Sequence, residues 1–75
     1  MTKCVITNCH EASIIKDPTD TDYDEEVIGT LKAGDTILVD TSRVFWSWDD
    51  KQYYKCDYGY EKDFGYINTG LVKAV

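Results

Sequence analysis

"VIGTLKAGDTILVD", Val27–Asp40, is the stretch on which the fold turns. Ile37 and Val39 recur every second residue in its second half, which is the side-chain period of a half-buried β-strand. Its first half, Val27–Leu31, is a short run rich in β-branched residues. Between them, Lys32–Asp35 reads as a tight turn in which Gly34 is free to adopt a positive φ. Two short strands joined by a glycine turn are the expectation here.

The same pattern extends both ways along the chain. Lys3–Cys9 is a strand candidate with Cys4 and Ile6 on one face, and Ala12–Lys16 is another, ended by Asp17-Pro18. Downstream, Gln52–Tyr58 and Phe64–Asn68 are strand candidates around a turn. Thr69–Leu71 suits a single 3₁₀ turn, and Val72–Val75 closes the chain as a last strand. Residues 41–51 read as a long connection that carries at most a short extra strand at Val44–Trp48. No apolar stripe of helical period is sustained over a dozen residues. The predicted fold is therefore all-β: a small antiparallel barrel of five to seven short strands with one 3₁₀ turn. Closing the sheet removes the exposed edges on which strands aggregate.

Size and composition fit a single domain over residues 1–75. A domain this small buries only about 60% of its unfolded surface, so every large apolar side chain matters. Acidic residues number 14 against 8 basic, a formal charge of -6, and the basic residues are scattered. Nucleic-acid binding rests on Lys and Arg neutralising phosphates, so direct contact with nucleic acid or an anionic membrane is disfavoured. A partner bearing basic residues fits better. There is no 18-residue apolar run and no apolar secretion segment at the start, and a cytoplasmic location is expected. The odd number of cysteines, Cys4, Cys9 and Cys56, points the same way, to a reducing compartment without a disulfide scaffold.

The order of these segments resembles the bacterial SH3-like family. The resemblance is carried by Ser13-Ile14-Ile15-Lys16-Asp17-Pro18, Val27-Ile28-Gly29-Thr30-Leu31-Lys32-Ala33-Gly34-Asp35, Tyr53-Tyr54-Lys55-Cys56, and Gly65-Tyr66-Ile67-Asn68-Thr69-Gly70-Leu71. It covers nearly the whole chain. It implies an SH3-like barrel and a noncatalytic module that holds a protein partner or cell-wall peptidoglycan, encoded in a bacterium or phage. By the same resemblance, residues 41–51 stand for the n-Src loop. The eukaryotic Ala-Leu-Tyr-Asp-Tyr signature is missing, and Asn68 stands where that branch places its groove proline. Both departures argue against recognition of proline motifs.

Nine of the ten aromatic residues fall between Val44 and Ile67. A small barrel cannot enclose nine rings. Strand alternation assigns Tyr54 and one of Phe64 and Tyr66 inward, with Ile6, Leu31, Ile37, Val39, Cys56 and Ile67. Trp46, Trp48, Tyr53, Tyr58 and Tyr60 remain for the surface, where they form the candidate ligand patch. Two readings stand for the tryptophans: a binding patch, or a cap folded over the open end of the barrel.

The resemblance implies that the acidic segment Asp17–Glu26, with Asp20, Asp22, Asp24 and Glu25, flanks that patch. It is either a solvated loop or a wall that attracts a cationic partner. Calcium is disfavoured, because Glu25 stands where an EF-hand loop needs glycine and Leu31 where it needs its bidentate glutamate. The spacing of Cys4, Cys9, His10 and Cys56 lacks the pairs of a zinc site. With one His and no phosphate-cradling glycine loop, neither catalysis nor a cofactor is expected. The leading expectation is thus a noncatalytic module for a basic protein or peptide. The alternatives are a peptidoglycan-binding module and, more weakly, an acidic inhibitor that imitates nucleic acid toward a basic protein.

Overall fold

The computed structural model describes residues 1–16, 18, 27–47, 49–60 and 63–75, with the backbone alone at 58–60 and 63. The described residues form seven strands and one 3₁₀ turn: β1 (Thr2–Ile6), β2 (Glu11–Ile15), β3 (Val27–Lys32), β4 (Thr36–Trp46), β5 (Gln52–Tyr60), β6 (Asp63–Asn68), η1 (Thr69–Leu71) and β7 (Val72–Ala74). They form one sheet in the order β3-β2-β6-β5-β4-β1-β7, and every pairing is antiparallel. The all-β expectation, its antiparallel pairing and its single 3₁₀ turn hold.

The sheet curls around a core built almost wholly from short side chains. Cys4, Ile6, Ala12, Ile14, Ile37, Val39, Cys56 and Ile67 form one buried cluster. Leu31, Tyr54 and Leu71 pack against its margin, as do Cys9, Ile28 and Val72. Alternation places most of them correctly, since Ile37 and Val39 on β4 face Cys4 on β1 and Cys56 on β5.

One expected inward ring is absent from the core. Phe64 and Tyr66 both lie on the outward face, and Gly65 between them is the residue that points in. The cause is steric. A Cβ on Gly65 would lie 2.2 Å from Cγ2 of Ile14, which is fully buried. β2 therefore crosses β6 at a separation that only glycine permits, and a single ladder pair, Ile15 with Tyr66, joins the two strands.

The turn at residues 32–35 forms as expected. Gly34 has φ of 92°, Asp35 N donates to Lys32 O at 3.0 Å, and Lys32 N donates to the Asp35 carboxylate at 2.9 Å. Gly34 N and Ile6 N then bond to Ile6 O and Asp35 O, which ties this turn to the end of β1.

Two local expectations fail. The first strand ends at Ile6, and Asn8, with φ of 60°, turns the chain before Cys9 and His10, so those two are not strand neighbours. More consequentially, residues 41–46 are not a long loop. β4 runs on to Trp46, with its pairing to β5 irregular between Asp40 and Phe45. At that irregularity the Asp40 carboxylate accepts hydrogen bonds from Ser42 N at 3.0 Å and Ser42 Oγ at 2.5 Å. Both bonds hold its pKa below the ordinary value.

Gly65→Ala tests the close crossing of β2 and β6. The added methyl group must displace a stiff β-branched neighbour, and overpacking of this kind costs about 1–3 kcal/mol. A urea melt should show that loss. A midpoint equal to wild type would mean that the two strands stand further apart.

Candidate functional site

The rings divide by sheet face. Phe45, Tyr53 and Asn68 are register partners across β4, β5 and β6, as are Lys55 and Tyr66, so all share the outward face. Phe45 and Tyr66 sit on the strands that flank β5, and their rings meet edge to face with centroids 5.0 Å apart. Cations of the chain cover this face. The Arg43 guanidinium lies 4.8 Å from the centre of the Phe45 ring, and the Lys55 ammonium 4.1 Å from that of Phe64. Together with buried Ile15, these side chains make a second, thinner apolar layer outside the main core.

That layer corrects one site residue. Tyr53, expected in the surface patch, is only 5% exposed. Its position on the outward face was read correctly, but that face is itself covered at this point.

Trp46 behaves differently. It pairs with Gln52, which places it on the opposite face of the β4–β5 ribbon, the side that carries Tyr54 and Cys56 further along. The hairpin has passed the core by this point, and Trp46 is 54% exposed. Among the described residues no ring and no cation is stacked on it. Of the remaining candidates, Trp48, Asp20, Asp22, Asp24 and Glu25 lie outside the described residues. Tyr58 and Tyr60 belong to β5, but their side chains also lie outside that description.

The hairpin tip that carries Trp46 is tied down. Ser47 N donates to Lys51 O at 2.9 Å, and Asp50 N donates to Ser47 O at 3.1 Å. Asp50 takes φ of 64°, the left-handed conformation that such turns require and that Asp tolerates. The Ser47 hydroxyl is buried. It donates to the Asp49 carboxylate and accepts from Lys51 N at 3.1 Å. Lys51 Nζ closes the ring of contacts on Asp49 at 3.3 Å. The Ser47 hydrogen bond, aided by Lys51, holds the Asp49 pKa below its ordinary 3.8.

Reading the sequence for single residues missed this network and the stacked cations. The signals were Arg43 two residues before Phe45 on one strand, and Lys55 diagonal to Phe64 across the ladder. The first needs residues 41–46 to be read as strand and the second needs the register, which sequence does not supply.

A shallow groove of about 300 Å³ lies elsewhere, lined by Lys3, Leu31, Thr36, Ile37, Leu38 and Asp57. No group of three His, Cys, Asp or Glu among the described residues is placed to hold a metal ion. Cys4 and Cys56 are buried and Cys9 is half-buried. Desolvation raises the Cys4 thiol pKa, and desolvation with help from the Asp57 carboxylate pushes Cys56 up to about 12. No helix among the described residues is long and apolar enough to cross a membrane.

Comparison of the chain with protein-family models, with curated proteins and with solved structures finds no match.

Three measurements check this geometry. Ser47→Ala should speed hydrogen exchange at Lys51 and leave Val39 and Cys56 protected, the cost of the lost bonds being about 0.5–1.5 kcal/mol. Because the folded Asp49 pKa is depressed, its contribution is present above 3.8 and is lost as pH falls through the lower folded value. The wild-type tip should therefore loosen on acidification. Alkylation of the native protein at neutral pH should reach Cys9 alone, and all three thiols only in denaturant; native labelling of Cys56 would contradict its burial.

Proposed function

We propose that the chain is a noncatalytic SH3-like interaction module that binds a protein or peptide through the Trp46 side of the β4–β5 hairpin. One observation carries this reading: a large indole stands half-exposed on a hairpin whose tip is pinned by Ser47, Asp49 and Lys51. A folded domain of this size gains stability from each ring it buries, so a tryptophan left in solvent on an ordered strand is costly unless it meets something. Pinning the tip also lowers the entropy lost on binding.

The order of elements supports the SH3-like part of the proposal. A first strand, a second ending shortly before Pro18, a third leading into a glycine turn, three consecutive antiparallel strands, a 3₁₀ turn and a closing strand follow the sequence of segments that carries the resemblance. The acidic residues Asp20, Asp22, Asp24 and Glu25 contribute through their charge alone. With a net charge of -6, nucleic acid and anionic membranes are poor partners and a basic protein surface is a better one.

Affinity capture followed by mass spectrometry, comparing wild type with Trp46→Ala and Leu38→Ser, tests the proposal. Leu38 is exposed on the other face of the ribbon and serves as the control. The expected result is a partner held by wild type and Leu38→Ser and lost from Trp46→Ala, with amide dispersion intact in all three. Equal capture by Trp46→Ala would sink the reading. Sedimentation with purified cell-wall sacculi would favour a peptidoglycan module instead, and competition by DNA for the captured protein would favour a nucleic-acid mimic.

A further inference from the structure

We infer that the open face of Trp46 receives a cationic side chain, arginine or lysine, from the partner. The inference rests on the module reading above and adds the chemistry of its central contact. Of the described rings that reach solvent, Tyr54 and Tyr66 are half-buried phenols, and three carry no hydroxyl: Phe45, half-buried, and Phe64 and Trp46, exposed. Arg43 lies over the first and Lys55 over the second. Indole has the strongest ring quadrupole of the three and is the best partner for a cation, yet among the described residues it has none.

The local cations explain why. Arg43 is committed to Phe45 on the opposite face of the ribbon. Lys51 is the nearest basic residue along the tip, and it is held on the Asp49 carboxylate at 3.3 Å. Ser47 keeps that carboxylate in place from the other side. The tip's own lysine is thus turned to Asp49, and among the described residues none is stacked on Trp46. Asp50, exposed at the same turn, adds a carboxylate that forms no ion pair among the described residues. A ring on a hairpin whose turn carries Asp50, on a chain of net charge -6, is complementary to a positive guest. A neutral apolar guest would gain from the ring but nothing from the charge.

The test uses short peptides of otherwise neutral sequence with one central residue varied: arginine, its neutral isostere citrulline, lysine, or acetyl-lysine. Binding is read at the Trp46 indole N–H signal by NMR, assigned from its disappearance in Trp46→Leu. The cationic peptides should shift that signal and bind about two- to fivefold tighter than their neutral counterparts, the range expected of an exposed cation–π contact. The preference should shrink as salt is raised. In Trp46→Leu, which keeps apolar bulk without the ring, the difference between charged and neutral peptides should vanish as judged from the surrounding amides. Equal binding of neutral peptides, or shifts confined to the Phe45 and Phe64 face, or no shift at Trp46 at millimolar peptide, would each overturn the inference. Those outcomes leave the module reading standing if Trp46→Ala still loses the captured partner. Capture that ignores Trp46 would remove the reading itself.

Discussion

The close meeting of Gly65 and Ile14 governs the packing of the described structure. β2 and β6 share one ladder pair, so backbone hydrogen bonds do little to hold the β2–β3 hairpin against the rest of the sheet. Side-chain packing does that work, and it depends on a missing Cβ. With glycine in place, Ile14 reaches the same buried cluster as Cys56 and Ile67. The resulting interior is narrow. Among the described residues it is filled by isoleucine, valine, cysteine and alanine, with the ring of Tyr54 at its margin.

That narrowness decides where the other rings go. A cross-section closed by a glycine cannot take Phe64 or Tyr66, and both turn outward. On the outward face they are not idle. The Phe45–Tyr66 edge-to-face contact adds about 0.5–1.5 kcal/mol beyond burial, and each exposed cation–π contact about 0.5–1 kcal/mol. Such amounts are a large share of the stability a domain of this size has to spare. The outward aromatic layer is therefore read best as structure, an outer skin laid over β5. Trp46 is excluded from it by alternation alone, because one residue along a strand changes the face.

Much of this architecture was legible in the residues. Alternation at Ile37 and Val39, the glycine turn at Gly34, and the polar break before Val27 located strands without reference to neighbours. The extension of β4 was not legible. Asp40, Thr41 and Ser42 look like loop residues because Asp and Ser side chains bond their own backbone, and the Asp40–Ser42 bonds do form. They form inside a strand, where pairing of Phe45 and Trp46 with β5 resumes the ladder. Tyr53 was misplaced for a related reason. Pattern tells which face a residue occupies, but not whether a second layer covers that face. At Cys9 and His10 a single left-handed asparagine ended the strand early, and asparagine is common enough in both settings to hide the turn.

These features together separate two kinds of aromatic residue that composition lumps into one. Phe45, Tyr53 and Tyr66 are fixed by neighbours on both sides, and their contacts would be broken by a ligand that approached them. Binding there would first have to displace Arg43 or peel back the outer layer, so its net gain would be small. Trp46 makes no such demand. Its strand is paired up to Trp46, the turn is held by a buried hydroxyl, and the indole is half-exposed with no ring or cation of the described residues stacked on it. A contact made on that face need displace neither Arg43 nor Lys55, which is why the proposed recognition is assigned to the hairpin tip and not to the larger group of rings beside it.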